Sequence, residues 1–148
     1  MITGWTGSAG SATLPYVYVT SDNLSWPSGG SGQKLIFSTI QDQIAPALFT
    51  INPNNQFVAI KAGVYLFCAV VGTTTTVTGT YTVSFRKIVS GVTTTIARNV
   101  GPSPIAPTLM IYLQVNDIIE IYLFQTSGST LTIQGGIGNT RCCCRFLG

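Results

Sequence analysis

A chain of 148 residues with a net charge of +3, 7% charged residues, 45% hydrophobic residues and no histidine suits one domain burying roughly 70% of its unfolded surface. Its apolar content excludes a disordered chain. With no imidazole and only Asp22, Asp42, Asp117 and Glu120 as carboxylate side chains, little remains for general acid–base catalysis, and no enzyme is expected.

A soluble domain carries about 25% charged residues, so the deficit calls for a cover, either a membrane or another chain. The longest apolar stretch, Gly63 to Val71, is about half of the roughly 20 residues that a bilayer helix requires. No membrane partner is expected, and burial against copies of the same chain is the leading account.

In chain order, residues 1–33 are rich in Gly, Ser and Thr, including Ser28-Gly-Gly-Ser-Gly32. They read as an amino-terminal arm around one short strand, Pro15 to Thr20. No basic segment precedes an apolar core there, so no secretory signal is visible. Trp5 and Trp26 are candidate apolar anchors by which the arm docks on a neighbouring molecule, with a loose arm as the alternative. Residues 1–33 contain no basic residue, whereas nucleic-acid binding uses a basic stripe; no nucleic-acid partner is expected.

Residues 34–148 form the second unit. Short blocks rich in Val, Ile, Tyr, Phe and Thr predict strands at Lys34 to Ile40, Gln56 to Ile60, Gly63 to Val71, Thr80 to Val89, Thr93 to Asn99, Thr108 to Val115, Asp117 to Thr126, Ser129 to Gln134 and Arg141 to Leu147. These residue types fit a pleated sheet, and Gly, Pro, Asn and Ser punctuate them as in an all-β sandwich. Asn116-Asp117 is read as a tight turn between two strands. The loops Thr73 to Gly79, Gly101 to Pro107 and Gly135 to Thr140 are candidates for contact with a glycan or protein.

The strand faces carry most of the information. One parity of Thr108 to Val115 gives Leu109, Ile111, Leu113 and Val115; the other gives Met110, Tyr112 and Gln114. In the next strand Ile119, Ile121 and Leu123 oppose Ile118, Glu120, Tyr122 and Phe124. In Gly63 to Val71, Val64, Leu66, Cys68 and Val70 oppose Tyr65, Phe67, Ala69 and Val71. An antiparallel sandwich sheet usually leaves one face to water, so faces apolar on both sides need a second cover. A partner subunit is the preferred account over a more tightly closed barrel, with Met110, Tyr112, Tyr122 and Phe124 as the candidate trimer interface.

Cys142-Cys-Cys144 raises soft-metal chemistry, but adjacent strand residues point to opposite sides and no histidine is available to complete a zinc site. Small buried β residues are the preferred reading. Cys142, Cys143 and Cys144 are also held as candidate thiols meeting their copies near a threefold axis. No metal and no cofactor are expected.

Lys34-Leu-Ile-Phe-Ser-Thr-Ile40, Phe57 before Lys61-Ala-Gly-Val-Tyr-Leu-Phe67, Asn116-Asp117 opening Ile118-Ile-Glu-Ile-Tyr-Leu123, and a closing Arg145-Phe-Leu-Gly148 resemble the complement globular-head and tumour-necrosis-factor-like superfamily. The resemblance spans about residues 34–148. It implies a ten-stranded antiparallel jelly-roll sandwich that assembles as a homotrimer about an apolar threefold axis. Asn116 stands where that pattern has glycine, and no collagen-like stalk is present. The chain looks more like a free-standing viral or phage head. The expected function is therefore a non-enzymatic virion component, a capsid decoration or minor capsid protein or a fibre or spike head, that attaches to and stabilises a particle beside other virion or surface-layer proteins. The alternative is a trimeric recognition module, an adhesin or receptor-binding head with a host-surface ligand, placed extracellularly or on a cell or spore surface.

Overall fold

The computed structural model describes residues 16–29, 32–44, 49–74, 78–136 and 138–148. The strands are β1 (Tyr16–Thr20), β2 (Leu24–Trp26), β3 (Gln33–Lys34), β4 (Thr39–Ile44), β5 (Phe49–Ile51), β6 (Phe57–Ala59), β7 (Gly63–Val70), β8 (Tyr81–Val89), β9 (Val92–Gly101), β10 (Thr108–Leu113), β11 (Ile118–Gln125), β12 (Leu131–Ile133) and β13 (Arg141–Phe146). A five-stranded sheet has the order β10-β7-β13-β1-β4; a second sheet runs β5-β6-β11-β8-β9, with β3 also paired to β11. β2 and β12 form a two-stranded ribbon. The pairings between these strands are all antiparallel.

Period-two alternation makes this a sandwich. In β7, Tyr65, Phe67 and Ala69 are buried; in β11, Ile119, Ile121 and Leu123 are; in β8, Tyr81, Val83 and Phe85 are. Aromatic rings bridge the layers, Phe57 meeting Phe67 edge-on at 5.4 Å and Phe67 meeting Phe85 at 5.9 Å, while Tyr65 meets Phe146 at 5.1 Å between neighbouring strands of one sheet. Each fully buried large side chain contributes about 1.5–3 kcal/mol of transfer free energy. The glycine of the Ala-Gly-Val-Tyr run has a steric cause. A Cβ on Gly63 would lie 2.5 Å from the Phe146 ring and 2.8 Å from the Gly148 carbonyl oxygen, so only glycine lets the two chain segments approach.

Three sequence expectations change here. The predicted strand Lys34 to Ile40 is a crossing between sheets: Gln33–Lys34 pairs with β11, while Thr39–Ile44 pairs with β1. Along the crossing, the Leu35 N–H donates to the Ile121 carbonyl at 2.8 Å and the Ser38 N–H to the Thr20 carbonyl at 3.0 Å. The strand assigned to the arm is internal, since β1 is flanked by both β13 and β4. From Tyr16 onward the chain is part of the sandwich, and residue 33 is not a structural division. Trp26, expected to anchor the arm, is 1% exposed and packs against Tyr81 at 5.9 Å. It is a core residue because the β2–β12 ribbon, with Trp26 opposite Leu131, closes one end of the sandwich. Trp5 lies outside the described residues.

The Asn116-Asp117 turn forms as expected. Asn116 has φ 69°, a left-handed conformation that asparagine tolerates. The Asp117 carboxylate accepts from the Gln114 N–H at 2.9 Å and pairs with Lys87 at 2.7 Å.

Candidate subunit interface

The outward face of the five-stranded sheet is built from the residues that register places side by side. One row across the strands contains Met110, Leu66, Arg145, Tyr16 and Ile44; the next contains Thr108, Cys68, Cys143, Tyr18 and Asp42; Tyr112 stands beside Val64. Met110 is 68% exposed and Tyr112 55%. Val64 and Leu66 are half-buried beside them. Charge is sparse and lies among or beside these side chains: the Tyr16 hydroxyl donates to the Asp42 carboxylate, and the Arg145 guanidinium stands 5.9 Å from the Tyr16 ring. An apolar area on β10 and β7 with a few charges beside it resembles the apolar core and polar rim of a protein–protein contact.

The outward face of the other sheet differs. Glu120 is buried there and is surrounded by Lys34 at 3.7 Å, Arg86 at 3.7 Å and the Gln56 amide, which donates at 2.9 Å. The Arg86 guanidinium lies 3.5 Å from the centre of the Tyr122 ring. Gly32 comes so close that a Cβ on it would sit 2.6 Å from the same ring. Tyr122 is thus already covered by its own chain. The four interface candidates therefore do not share one surface: Met110 and Tyr112 are on the outward face of the five-stranded sheet, Tyr122 and Phe124 on the opposite side of the molecule. The physical reason is that β10 and β11, although consecutive, belong to different sheets.

The cysteines divide by parity. Cys142 and Cys144 are fully buried in the core, and burial pushes both thiols well above their ordinary range, reinforced by neighbouring cysteine sulfurs. They cannot meet their copies at an axis. Cys143 alone of the three faces outward, opposite Cys68. Among the described residues no group of three or more Cys, Asp or Glu side chains is placed to hold a metal ion, and no helix is long and apolar enough to cross a membrane.

Parts of all three loops named as contact candidates meet at one end of the sandwich. Val70, Gly72, Thr73, Ser103, Gln134 and Arg141 are among the residues lining a cleft of about 450 Å³ there. The Thr73 N–H donates to the Ser103 hydroxyl at 3.0 Å, tying two of the loops together.

Several face residues escaped the sequence reading: Tyr16 and Tyr18, because β1 was placed in an arm, and Val64, Leu66 and Cys68, whose parity was seen as apolar but whose neighbours depend on strand order. Strand order is set by long-range pairing and leaves no local signal.

No family model and no curated protein matches the chain. Solved structures do. Murine APRIL at pH 8.5 superposes with a TM-score of 0.66 at 12% identity, covering 89% of this chain and 99% of that one. Murine APRIL at pH 5.0 gives 0.64 at 12% identity, covering 90% and 99%. Eiger TNF from S. frugiperda gives 0.60 at 10% identity, covering 90% and 94%. At such identities the likeness is one of fold: the chain is an all-β, tumour-necrosis-factor-like jelly roll.

Proposed function

We propose that this chain is a non-enzymatic structural protein. Copies associate through the outward face of the five-stranded sheet into a homotrimer, and the trimer attaches to and stabilises a virion as a decoration, minor capsid or fibre-head component. The observation that carries the assembly is the exposed Met110 and Tyr112 beside Leu66 and Val64. Contiguous apolar surface on a chain with so few charges marks a contact with another protein, and permanent interfaces resemble a domain core. A threefold arrangement is what the tumour-necrosis-factor-like resemblance implies. The virion role draws on the low charge and abundant threonine, which suit a protein that works within an assembly. Attachment by residues 1–15 is part of the same proposal. The test removes residues 1–15 and measures trimer mass and particle binding separately: the shortened protein is expected to stay trimeric and to lose the particle. Retained particle binding would contradict the attachment role.

The cleft at the loop end favours a second reading, a trimeric recognition module on a virion, extracellular, cell or spore surface. Its hydroxyl, amide and guanidinium groups suit a polar ligand such as a glycan. Substitutions of Ser103 and Gln134 that abolish binding to a host surface, with particle attachment intact, would select this reading.

A further inference from the structure

Cys68 and Cys143 stand directly opposite each other on β7 and β13, on the outward face, and both thiols are free. The kind of pairing can be read from the backbone. Val64 directs both its N–H and its carbonyl to the β13 side, bonding Gly148 and Leu147, whereas Ala69 and Val71 bond the β10 side. Alternation along β7 therefore gives the Cys68 peptide to β13 and makes Cys68 and Cys143 a hydrogen-bonded pair.

Such pairs hold their Cβ atoms at the wide end of the cross-strand range, about 5.5 Å. An unstrained disulfide wants about 3.5–4.5 Å. The register thus disfavours the S–S bond while aiming two sulfurs the same way. A single ion bridging them relaxes the constraint: with metal–sulfur bonds of about 2.3 Å, two sulfurs on one ion can stand up to about 4.6 Å apart. Cys143 is also flanked on its own face by Arg141 and Arg145, two residues away on either side along the strand. Burial holds the Cys143 thiol above its ordinary value, and the Arg145 guanidinium works against that rise.

We propose that Cys68 and Cys143 form a dithiolate site for a soft cation that accepts two sulfur ligands, with monovalent copper as the biological member of that class. Thiolates select such ions. Zinc, which takes four ligands in structural sites, finds no third Cys, Asp or Glu beside the pair among the described residues. Binding converts two thiols and one Cu(I) ion into a bis-thiolate complex and releases two protons, with no change of oxidation state. Both ligands come from one chain but lie on the face through which copies are proposed to associate, so mass in solution measured with and without copper separates failure of the site from failure of the trimer.

The test titrates the full-length protein anaerobically with Cu(I) against a chromophoric chelator, and repeats it for Cys68→Ser and Cys143→Ser, with circular dichroism and mass confirming fold and assembly. The parent is expected to take one ion per chain, and each variant to bind at least tenfold more weakly; Zn(II) is expected not to compete. Cys68 is exposed, so Cys68→Ser is the variant that keeps the test decisive if Cys143→Ser misfolds. Failure of the parent to withdraw copper, undiminished binding by Cys68→Ser, or an intact mass showing a Cys68–Cys143 disulfide in the protein as isolated would each overturn the proposal.

Discussion

At the residue scale, Asp117 shows how one side chain ties a turn to the sandwich. Burial alone would raise its pKa, but the bond from Lys87, the Gln114 N–H and the Lys87 charge outweigh it, and the carboxyl titrates below its ordinary value. As pH falls, the unfolded chain takes up the proton first. The stability Asp117 contributes is therefore fully present above the unfolded carboxyl pKa of about 3.9 and is lost as pH drops through the lower folded value. Asp117→Asn removes the charge partner of Lys87 and is expected to cost about 1–3 kcal/mol at neutral pH. Its urea midpoint should also change less than the parent's between about pH 5 and about pH 2. Trp26 makes a second residue-scale case. Trp26→Ala empties a core position and is expected to cost about 3–5 kcal/mol, read as a lowered urea midpoint. A surface anchor would show no such loss.

At the element scale, strand parity decides what each substitution does. Met110→Asp or Tyr112→Asp places a charge within the proposed contact, where an unpaired buried charge costs several kcal/mol; each is expected to yield monomer by light scattering while the chain stays folded. Tyr122→Ala acts on the other side of the molecule. It removes the ring beneath Arg86, a cation–π contact of about 0.5–2 kcal/mol, and is expected to lower the urea midpoint without changing the mass in solution. A Tyr122→Ala monomer would show that the interface includes the other sheet.

The same scale shows what was legible in the sequence. Alternation in β10 revealed which parity is core, in β7 and β11 it revealed only that both faces are largely apolar, and Asn116-Asp117 revealed the turn. Lys34 to Ile40 misled because Leu35 and Phe37 meet the core from a crossing segment, where no ladder exists. Residues 16–26 misled because flanking Gly and Ser made the strand expected at Pro15 to Thr20 read as part of an arm, whereas β13 and β4 hold it from both sides. The face carrying Met110 and Tyr112 was legible; its neighbours were not, because adjacency across a sheet comes from pairings far apart in sequence, such as Tyr18 opposite Cys143. The Cys68–Cys143 pair, 75 positions apart in the sequence, was invisible for the same reason.

At the scale of the whole molecule, the low charge content has a location. The sheet carrying Arg86, Glu120 and Lys34 pairs its charges with one another on its own outward face, whereas the five-stranded sheet presents an apolar stretch on β10 and β7 beside Arg141, Arg145 and Asp42. A tumour-necrosis-factor-like jelly roll so divided is complete as a fold and incomplete as a surface. Assembly through that surface is the central claim, and the mass in solution tests it most directly. Sedimentation equilibrium over a wide concentration range is expected to return three times the 15.7 kDa chain mass; a stable species at 15.7 kDa throughout that range would contradict it.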